Sequence, residues 1–132
     1  MRVIARFLFP AILMAFLACE KRSDDSMHLL NVNDFEEKLH AASEKILLDV
    51  RTMPEYQRGH LANSILMDVQ GDDFELKIKD LDKSTPIFVY CASGIRSGKA
   101  AKILSENGFT SIYHMDGGLQ EWVKENKQIV RN

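Results

Sequence analysis

From Met27 onward, short unbroken apolar runs alternate with segments whose apolar residues recur at every third or fourth position. The unbroken runs predict strands that are buried on both faces, and the spaced positions predict amphipathic helices. The most apolar run, Thr85–Cys91, is expected at the centre of the sheet. Strands and helices that alternate in this way indicate an α/β domain, with a mostly parallel sheet covered by helices on both faces.

Local signals place the individual elements along the chain. Asn33, with Glu36 three residues later, resembles a capping box that opens the first helix, and Pro54 suits the first turn of a second helix. Gly108 stands where a helix that covers 97–107 should end. The remaining predicted elements are strands at 28–32, 45–50, 64–69 and 111–115, a helix at 72–81 and a final helix around 119–123.

The first eighteen residues do not fit this domain pattern. Arg2 and Arg6 precede an apolar run of twelve residues, Phe7–Ala18, which suits the hydrophobic region of a signal peptide and is too short to span a bilayer comfortably. A buried helix is the alternative, but Pro10 and the abrupt change to charged residues after Cys19 oppose it. We therefore predict a signal peptide at 1–18 and export of the chain.

The end of the apolar run suggests how the mature chain begins. Phe16-Leu17-Ala18-Cys19 resembles a bacterial lipoprotein cleavage box, in which the Cys becomes an acylated N-terminus. Ordinary cleavage that leaves Cys19 as a free thiol is the alternative. The expected organisation is a lipidated Cys and polar tether at 19–26 and a folded domain at 27–132, attached by the lipid to a membrane of the bacterial cell envelope. Which membrane is left open.

The net charge of the chain indicates which classes of partner it can attract. The net charge is −2, and removal of Arg2 and Arg6 would leave 15 basic residues against 19 acidic ones, a net charge near −4. No basic field indicates nucleic-acid binding. An anion site on this mildly acidic domain must therefore be built locally.

The segment from Cys91 to Ser97 carries the candidate chemistry. If Cys19 is acylated, Cys91 has no partner for a disulfide within the chain. It lies between a buried strand and a helix start, where inward-facing amides and the helix N-terminus can hold an anion. Gly94 allows a tight turn and Arg96 supplies a cation, so the surroundings favour the nucleophilic thiolate. A purely structural Cys at the end of a strand is the alternative.

This segment resembles the active-site loop of single-domain rhodaneses, whose common form is Cys-Arg-Ser-Gly-x-Arg-Ser. Three flanking signatures of that superfamily occur in the same order from about Met27 to the end of the chain. They are Leu48-Asp49-Val50-Arg51 followed by Glu55-Tyr56 and Gly59-His60-Leu61, then Asn63-Ser64, and finally Asp116-Gly117-Gly118-Leu119 with Trp122.

The resemblance implies a five-stranded parallel sheet and a sulfurtransferase reaction that needs no metal or other cofactor. The Cys91 thiolate would take sulfur from a small anionic donor such as thiosulfate, and a thiol or cyanide would remove it from the resulting persulfide. The six residues from Cys91 to Arg96 match sulfur substrates, whereas related phosphatases and arsenate reductases use a loop one residue longer. The implied site consists of catalytic Cys91 and an anion-binding loop of Ala92, Ser93, Gly94, Ile95, Arg96 and Ser97.

One residue of the loop departs from the family pattern. Ala92 stands where many members carry Arg, so one cationic contact with an anionic donor is missing. Low-molecular-weight persulfides or a protein partner therefore remain open as donors. A persulfide carrier that serves an envelope partner without turning over is the alternative function.

Three further residues are predicted to support the site. Asp49 and Arg51 end a strand on the same side as the loop, where they form either a buttressing ion pair or a solvated pair. His60 is expected to brace the fold rather than to transfer protons. Trp122 is expected in the core, and nothing raises His114 above a residue at a strand end.

Overall fold

The computed structural model describes residues 23–131, which fold around one sheet. A short 3-10 helix at Ser23–Ser26 precedes the first strand. The strands are β1 (Met27–Leu30), β2 (Ile46–Asp49), β3 (Ile65–Leu66), β4 (Ile87–Tyr90) and β5 (Ile112–Met115), and the helices are α1 (Val32–Ala41), α2 (Met53–Arg58), α3 (Phe74–Ile78), α4 (Ile95–Glu106) and α5 (Gly118–Lys124).

The five strands form a parallel sheet in the order β1-β5-β4-β2-β3. The predicted fold class is confirmed, and β4 is the central strand, as its apolar run predicted. Because β2 lies directly beside β4, the loops that follow these two strands leave the same edge of the sheet side by side. In parallel sheets that edge is where functional groups collect.

Helices cover both faces of the sheet, and the side chains of β4 alternate between the two cores that this arrangement creates. Ile87 and Val89 pack with α3 and α4 in one core, which also contains Cys91. Phe88 and Tyr90 pack with α1 and α5 in the other. Every residue of β4 is buried, as expected for a strand enclosed by helices on both sides. The nucleophile candidate therefore stands at the end of the central, fully buried strand.

The predicted start of the first helix was wrong by two residues. Asn31, not Asn33, is the N-cap, and its side-chain oxygen accepts a hydrogen bond from the Asp34 amide at 2.9 Å. Val32 is consequently the first helical residue and is buried, whereas the sequence prediction had placed it in the preceding strand. The capping side chain satisfies an amide that the helix itself cannot, and this fixes the boundary.

Other elements also differ in length from their predictions. Strand β3 covers only Ile65–Leu66 at one edge of the sheet, although the amides of Met67 and Val69 still bond to the end of β2. Helix α3 is shorter than the predicted 72–81 because its end tightens into three-residue turns. Helix α4 begins at Ile95 rather than at residue 97.

The predicted signal peptide at 1–18 and the acylated Cys19 lie outside the described residues. Between residues 23 and 131, no helix has the length and apolar character that crossing a membrane requires.

Candidate active site

Cys91 follows β4 directly and is completely buried at the base of its loop. It is a free thiol, and its Sγ accepts a hydrogen bond from the Gly94 amide at 3.1 Å. Gly94 makes this contact in the left-handed conformation, with φ of 99°, a backbone state that residues with a Cβ adopt at a cost. The turn that aims an amide at the sulfur therefore depends on a glycine.

Helix α5 fixes the orientation of the loop from outside. The amides of Leu119 and Gln120 donate to the carbonyl oxygens of Cys91 and Ala92, at 2.8 and 3.0 Å. In a trans peptide the N–H points opposite to the C=O of the same unit. The amides of Ala92 and Ser93 are therefore directed away from α5, which leaves them free to serve an anion on the other side of the loop.

This contact requires Gly118. A Cβ on Gly118 would lie 2.6 Å from the carbonyl oxygens of both Cys91 and Ala92, and the residue has φ of 60°. A residue with a side chain at position 118 could therefore not approach the loop this closely.

Ser97 links the loop to the first turn of α4. Its buried hydroxyl donates to the Gly94 carbonyl at 3.1 Å, so it stabilises the turn that presents the Gly94 amide. Helix α4 starts inside the loop and directs its positive N-terminal end toward the same region. Ile95, by contrast, is 81% exposed and forms an apolar surface on the rim of the loop.

Arg96 is held by an acidic residue from another helix. Its guanidinium donates to both carboxylate oxygens of Glu55 in α2, at 2.8 Å each. The hydrogen bonds with Glu55 raise the pKa of Arg96, burial opposes the rise, and the charges of Glu55, Cys91 and Asp68 add to it. In turn, the hydrogen bonds from Arg96 hold the pKa of Glu55 well below its usual range. The cation of the loop is therefore matched by a carboxylate.

Glu55 is the site residue that sequence reasoning missed. Its Oε2 also accepts from the amide of Thr52 at 3.0 Å and from the Thr52 hydroxyl at 2.8 Å, which caps α2. The sequence indicated the helix start through Pro54, which suits a first turn. No local sequence signal connects Glu55 to Arg96, which lies 41 positions later.

Of the two predicted arrangements, Asp49 and Arg51 form the buried ion pair. Their side chains are 0% and 6% exposed, and Arg51 Nη2 lies 2.6 Å from Asp49 Oδ2. Arg51 also donates to the Gly59 carbonyl at 2.7 Å. Burial disfavours the charge on Arg51, but hydrogen bonding and attraction to Asp49 outweigh it and raise the pKa of Arg51.

Tyr90 joins this pair to the chain that follows α2. Its hydroxyl donates to Asp49 Oδ2 at 2.7 Å and accepts from the Leu61 amide at 3.0 Å. Burial and the charge of Asp49 raise the pKa of Tyr90, so its hydroxyl stays protonated. This network ties the ends of β2 and β4 together beneath the site.

His60 makes the contacts of a bracing residue. Its ring stacks on Tyr56 with 3.6 Å between centroids, and Nδ1 lies 2.8 Å from the Tyr56 carbonyl oxygen. Its backbone pairs with Val130 through two hydrogen bonds. Trp122 is buried in the core between α1 and α5, as the sequence predicted.

His114 has a buried ring nitrogen, which nothing in the sequence had indicated. It lies within β5, and within the described part of the chain its buried Nδ1 has no hydrogen-bond partner. Desolvation lowers the pKa of His114, and the charge of Asp116 opposes that effect. The side chain is therefore kept neutral by its surroundings.

Across residues 23–131, no cluster of three or more His, Cys, Asp or Glu side chains has an arrangement that could hold a metal ion. Residues 31–125 match the model of the rhodanese-like domain. The chain belongs to the rhodanese-like family.

Relatives within this family differ in how much of their length the chain spans. It is 27% identical to the uncharacterized protein YqhL of Bacillus subtilis over 91% of each chain. It is 39% identical to a tRNA uridine(34) hydroxylase of Cytophaga hutchinsonii over 56% of its own length, but it spans only 25% of that enzyme. Among solved structures, a rhodanese-related protein from Thermoplasma volcanium is 32% identical and superposes with a TM-score of 0.70, covering 80% of this chain and 99% of the other.

Proposed function

We propose that this rhodanese-like chain is a sulfurtransferase that carries sulfur as a persulfide on Cys91. The observation that supports the proposal most directly is the environment of the sulfur, which accepts the Gly94 amide at 3.1 Å beneath a loop oriented by α5. Amides that stabilise a thiolate also stabilise the terminal sulfur of a persulfide, because both carry negative charge.

The reaction proceeds in two displacements on sulfur. The Cys91 thiolate attacks the outer sulfur of thiosulfate, the S–S bond breaks, and sulfite leaves with the electron pair. Cyanide or a thiolate then attacks the outer sulfur of the Cys91 persulfide, which releases thiocyanate or a new persulfide and restores the Cys91 thiolate. The loop amides and the N-terminus of α4 stabilise the anionic sulfur in both states.

The burial of Cys91 defines what the loop must do in this reaction. The residue has 0% exposure, so the loop residues around the sulfur have to move apart before a donor reaches it. The left-handed Gly94 is the place in the loop where the backbone changes conformation most easily.

The test is thiocyanate formation from thiosulfate and cyanide by the full-length chain in detergent. We expect Cys91→Ala to abolish turnover and Cys19→Ala to retain it, which separates the two cysteines of the chain. Turnover by Cys91→Ala equal to that of the unaltered chain would overturn the mechanism.

A persulfide carrier or binding module that serves an envelope partner is the second candidate. The pairing of Arg96 with Glu55 favours it, because a compensated cation attracts small anionic donors less. The hydroxylases, in which the matching region is about a quarter of the chain, are compatible with such a domain serving a larger system. Intact mass decides between the candidates, since an adduct of about 32 Da on Cys91 (one sulfur atom on the thiolate nucleophile) with negligible thiocyanate indicates a carrier.

We also propose that the chain is exported and attached to the bacterial envelope by a lipid on Cys19. The proposal rests on the signal-like residues 1–18 and the small residue before Cys19. Labelling cells with radioactive palmitate tests it, with Cys19→Ala as the unlabelled control. Equal labelling of the two proteins would contradict the anchor.

A further inference from the structure

The charges around the Cys91 loop do not suit a dianionic donor. Both terminal nitrogens of the Arg96 guanidinium donate to the carboxylate of Glu55. The negative charge of Asp68 also acts on Arg96. Ala92 contributes no charge. The cation of the loop is therefore already compensated by a carboxylate, and the charge of Asp68 adds to the negative side of the balance.

Because the site is largely buried, the charges around the loop affect which donor can bind. Arg96 and Glu55 are each about one-fifth exposed and Cys91 is fully buried, so a donor must shed water before it reaches the sulfur. Desolvation is more costly for two charges than for one, unless the protein supplies matching cations. Glu55 already holds the cation that would do so.

The rim of the loop adds an apolar component. Ile95 lies inside the loop with 81% of its surface exposed. A donor with an apolar substituent next to the transferred sulfur would cover such surface, whereas the sulfonate of thiosulfate would not.

We propose that Glu55 is a specificity-determining residue, which directs the site toward sulfane donors that carry at most one negative charge and an apolar substituent, such as alkyl persulfides and thiosulfonates, and against thiosulfate. This inference rests on the proposed sulfur-transfer function and names its donor class. Glu55 acts through Arg96 and is a positioning residue, since it neutralises and orients the cation rather than touching the sulfur.

The transfer step balances for this class without an outside oxidant or reductant. With a thiosulfonate, the Cys91 thiolate attacks the terminal sulfur, the S–S bond breaks, and the sulfinate leaves with the electron pair. With an alkyl persulfide R–S–SH, the same attack releases the thiolate R–S⁻, and the proton stays on the transferred sulfur. The product in both cases is the Cys91 persulfide.

Glu55→Gln is the informative variant because glutamine keeps most of the local structure. Gln is accepted at the third position of a capping box, so the bonds from Thr52 to the side-chain oxygen can persist. The substitution removes one negative charge beside Arg96. Glu75→Gln makes the same change on the exposed first turn of α3 and is the matched control.

The experiment measures kcat/KM for thiosulfate and for methanethiosulfonate, with cyanide as acceptor and the full-length chain in detergent. We expect the unaltered chain to prefer methanethiosulfonate. Glu55→Gln should raise the thiosulfate-to-methanethiosulfonate ratio about three- to tenfold, the effect of one unit charge several ångströms away in a partly solvated site. The preference of the unaltered chain should also weaken as salt is added, because salt screens charges and a purely structural role would not respond.

The outcomes separate the two proposals. If both donors support turnover and the ratio is the same in Glu55→Gln as in the unaltered chain, or shifts equally in Glu75→Gln, the specificity inference is overturned and the sulfurtransferase proposal stands. If neither donor yields thiocyanate, persulfide formation on Cys91 is followed by intact mass for each donor, and the same ratio is read from those rates. If neither donor modifies Cys91, the proposed function fails, and the inference fails with it.

Discussion

Gly118→Ala tests whether contact with α5 holds the active-site loop in place. The added methyl group would lie 2.6 Å from the carbonyl oxygens of Cys91 and Ala92, which are backbone atoms and cannot rotate away. The backbone must shift, and the shift breaks the hydrogen bonds from Leu119 and Gln120 to those carbonyls. Gly118 also has φ of 60°, a conformation that alanine adopts unfavourably.

The expected loss of stability follows from these two effects. The left-handed conformation costs alanine about 1–2 kcal/mol. Overpacking against fixed neighbours costs typically about 1–3 kcal/mol more. We therefore expect Gly118→Ala to lower the free energy of unfolding by about 2–5 kcal/mol, a large part of the stability of a small domain.

Gly98→Ala provides a matched control in the first turn of α4. A Cβ there would lie 3.8 Å from Cε1 of His114, which is ordinary contact, and Gly98 has the φ of a normal helix. Replacing a glycine in a helix interior by alanine should raise the stability by about 0.5–1 kcal/mol. The same chemical change is thus predicted to act in opposite directions at two glycines.

Urea denaturation followed by circular dichroism measures both free energies, and intact mass after a thiosulfonate pulse measures persulfide formation on Cys91. Gly118→Ala should lose persulfide formation even at urea-free, low-temperature conditions in which it remains folded. A Gly118→Ala protein as stable as the unaltered chain, with normal persulfide formation, would refute the role given to the contact with α5.

Three other predictions concern the network beneath the site and the response to pH. Tyr90→Phe removes the hydroxyl that donates to Asp49 and leaves the buried Leu61 amide without its acceptor, which should reduce the stability by about 1–3 kcal/mol in urea denaturation. Because the pKa of His114 is lowered, its contribution to stability is complete above about pH 6.5 and is lost as the pH falls below that value. His114→Gln should therefore reduce the pH dependence of the free energy of unfolding, measured between about pH 7 and 5. Glu55 has a lowered pKa through Arg96, so stability that is present above its usual value of 4.5 should fall as the pH drops further, and Glu55→Gln should show a shallower acid loss in thermal unfolding.

Each of these predictions has an outcome that would count against it. Unchanged stability of Tyr90→Phe would mean that the hydroxyl does not satisfy Asp49 in solution. A pH profile of His114→Gln that parallels the unaltered chain would place the sensitivity on another group. An acid loss that stays equally steep in Glu55→Gln, with Glu75→Gln as reference, would mean that the pair with Arg96 contributes nothing to acid stability.

Much of the fold could be predicted from the sequence because the relevant signals are local. The apolar run of β4 indicated a central buried strand, and the structure places it in the middle of the sheet. Pro54 indicated the first turn of α2, which begins at Met53. The first helix was misplaced because two asparagines lie within three residues, and only the backbone conformation determines that Asn31, not Asn33, caps the helix.

By itself, the sequence determined that Cys91 ends a buried strand and opens a glycine-containing loop beside a helix start, because strand, turn and cap signals each extend over only a few residues. Only the tertiary structure decided which distant groups control that loop. Glu55 reaches Arg96 because β2 lies beside β4, and Gly118 meets the carbonyl of Cys91 because β5 flanks β4 on its other side. Such partners are set by strand order and by distances of a few ångströms, and neither is encoded in any short stretch of the chain.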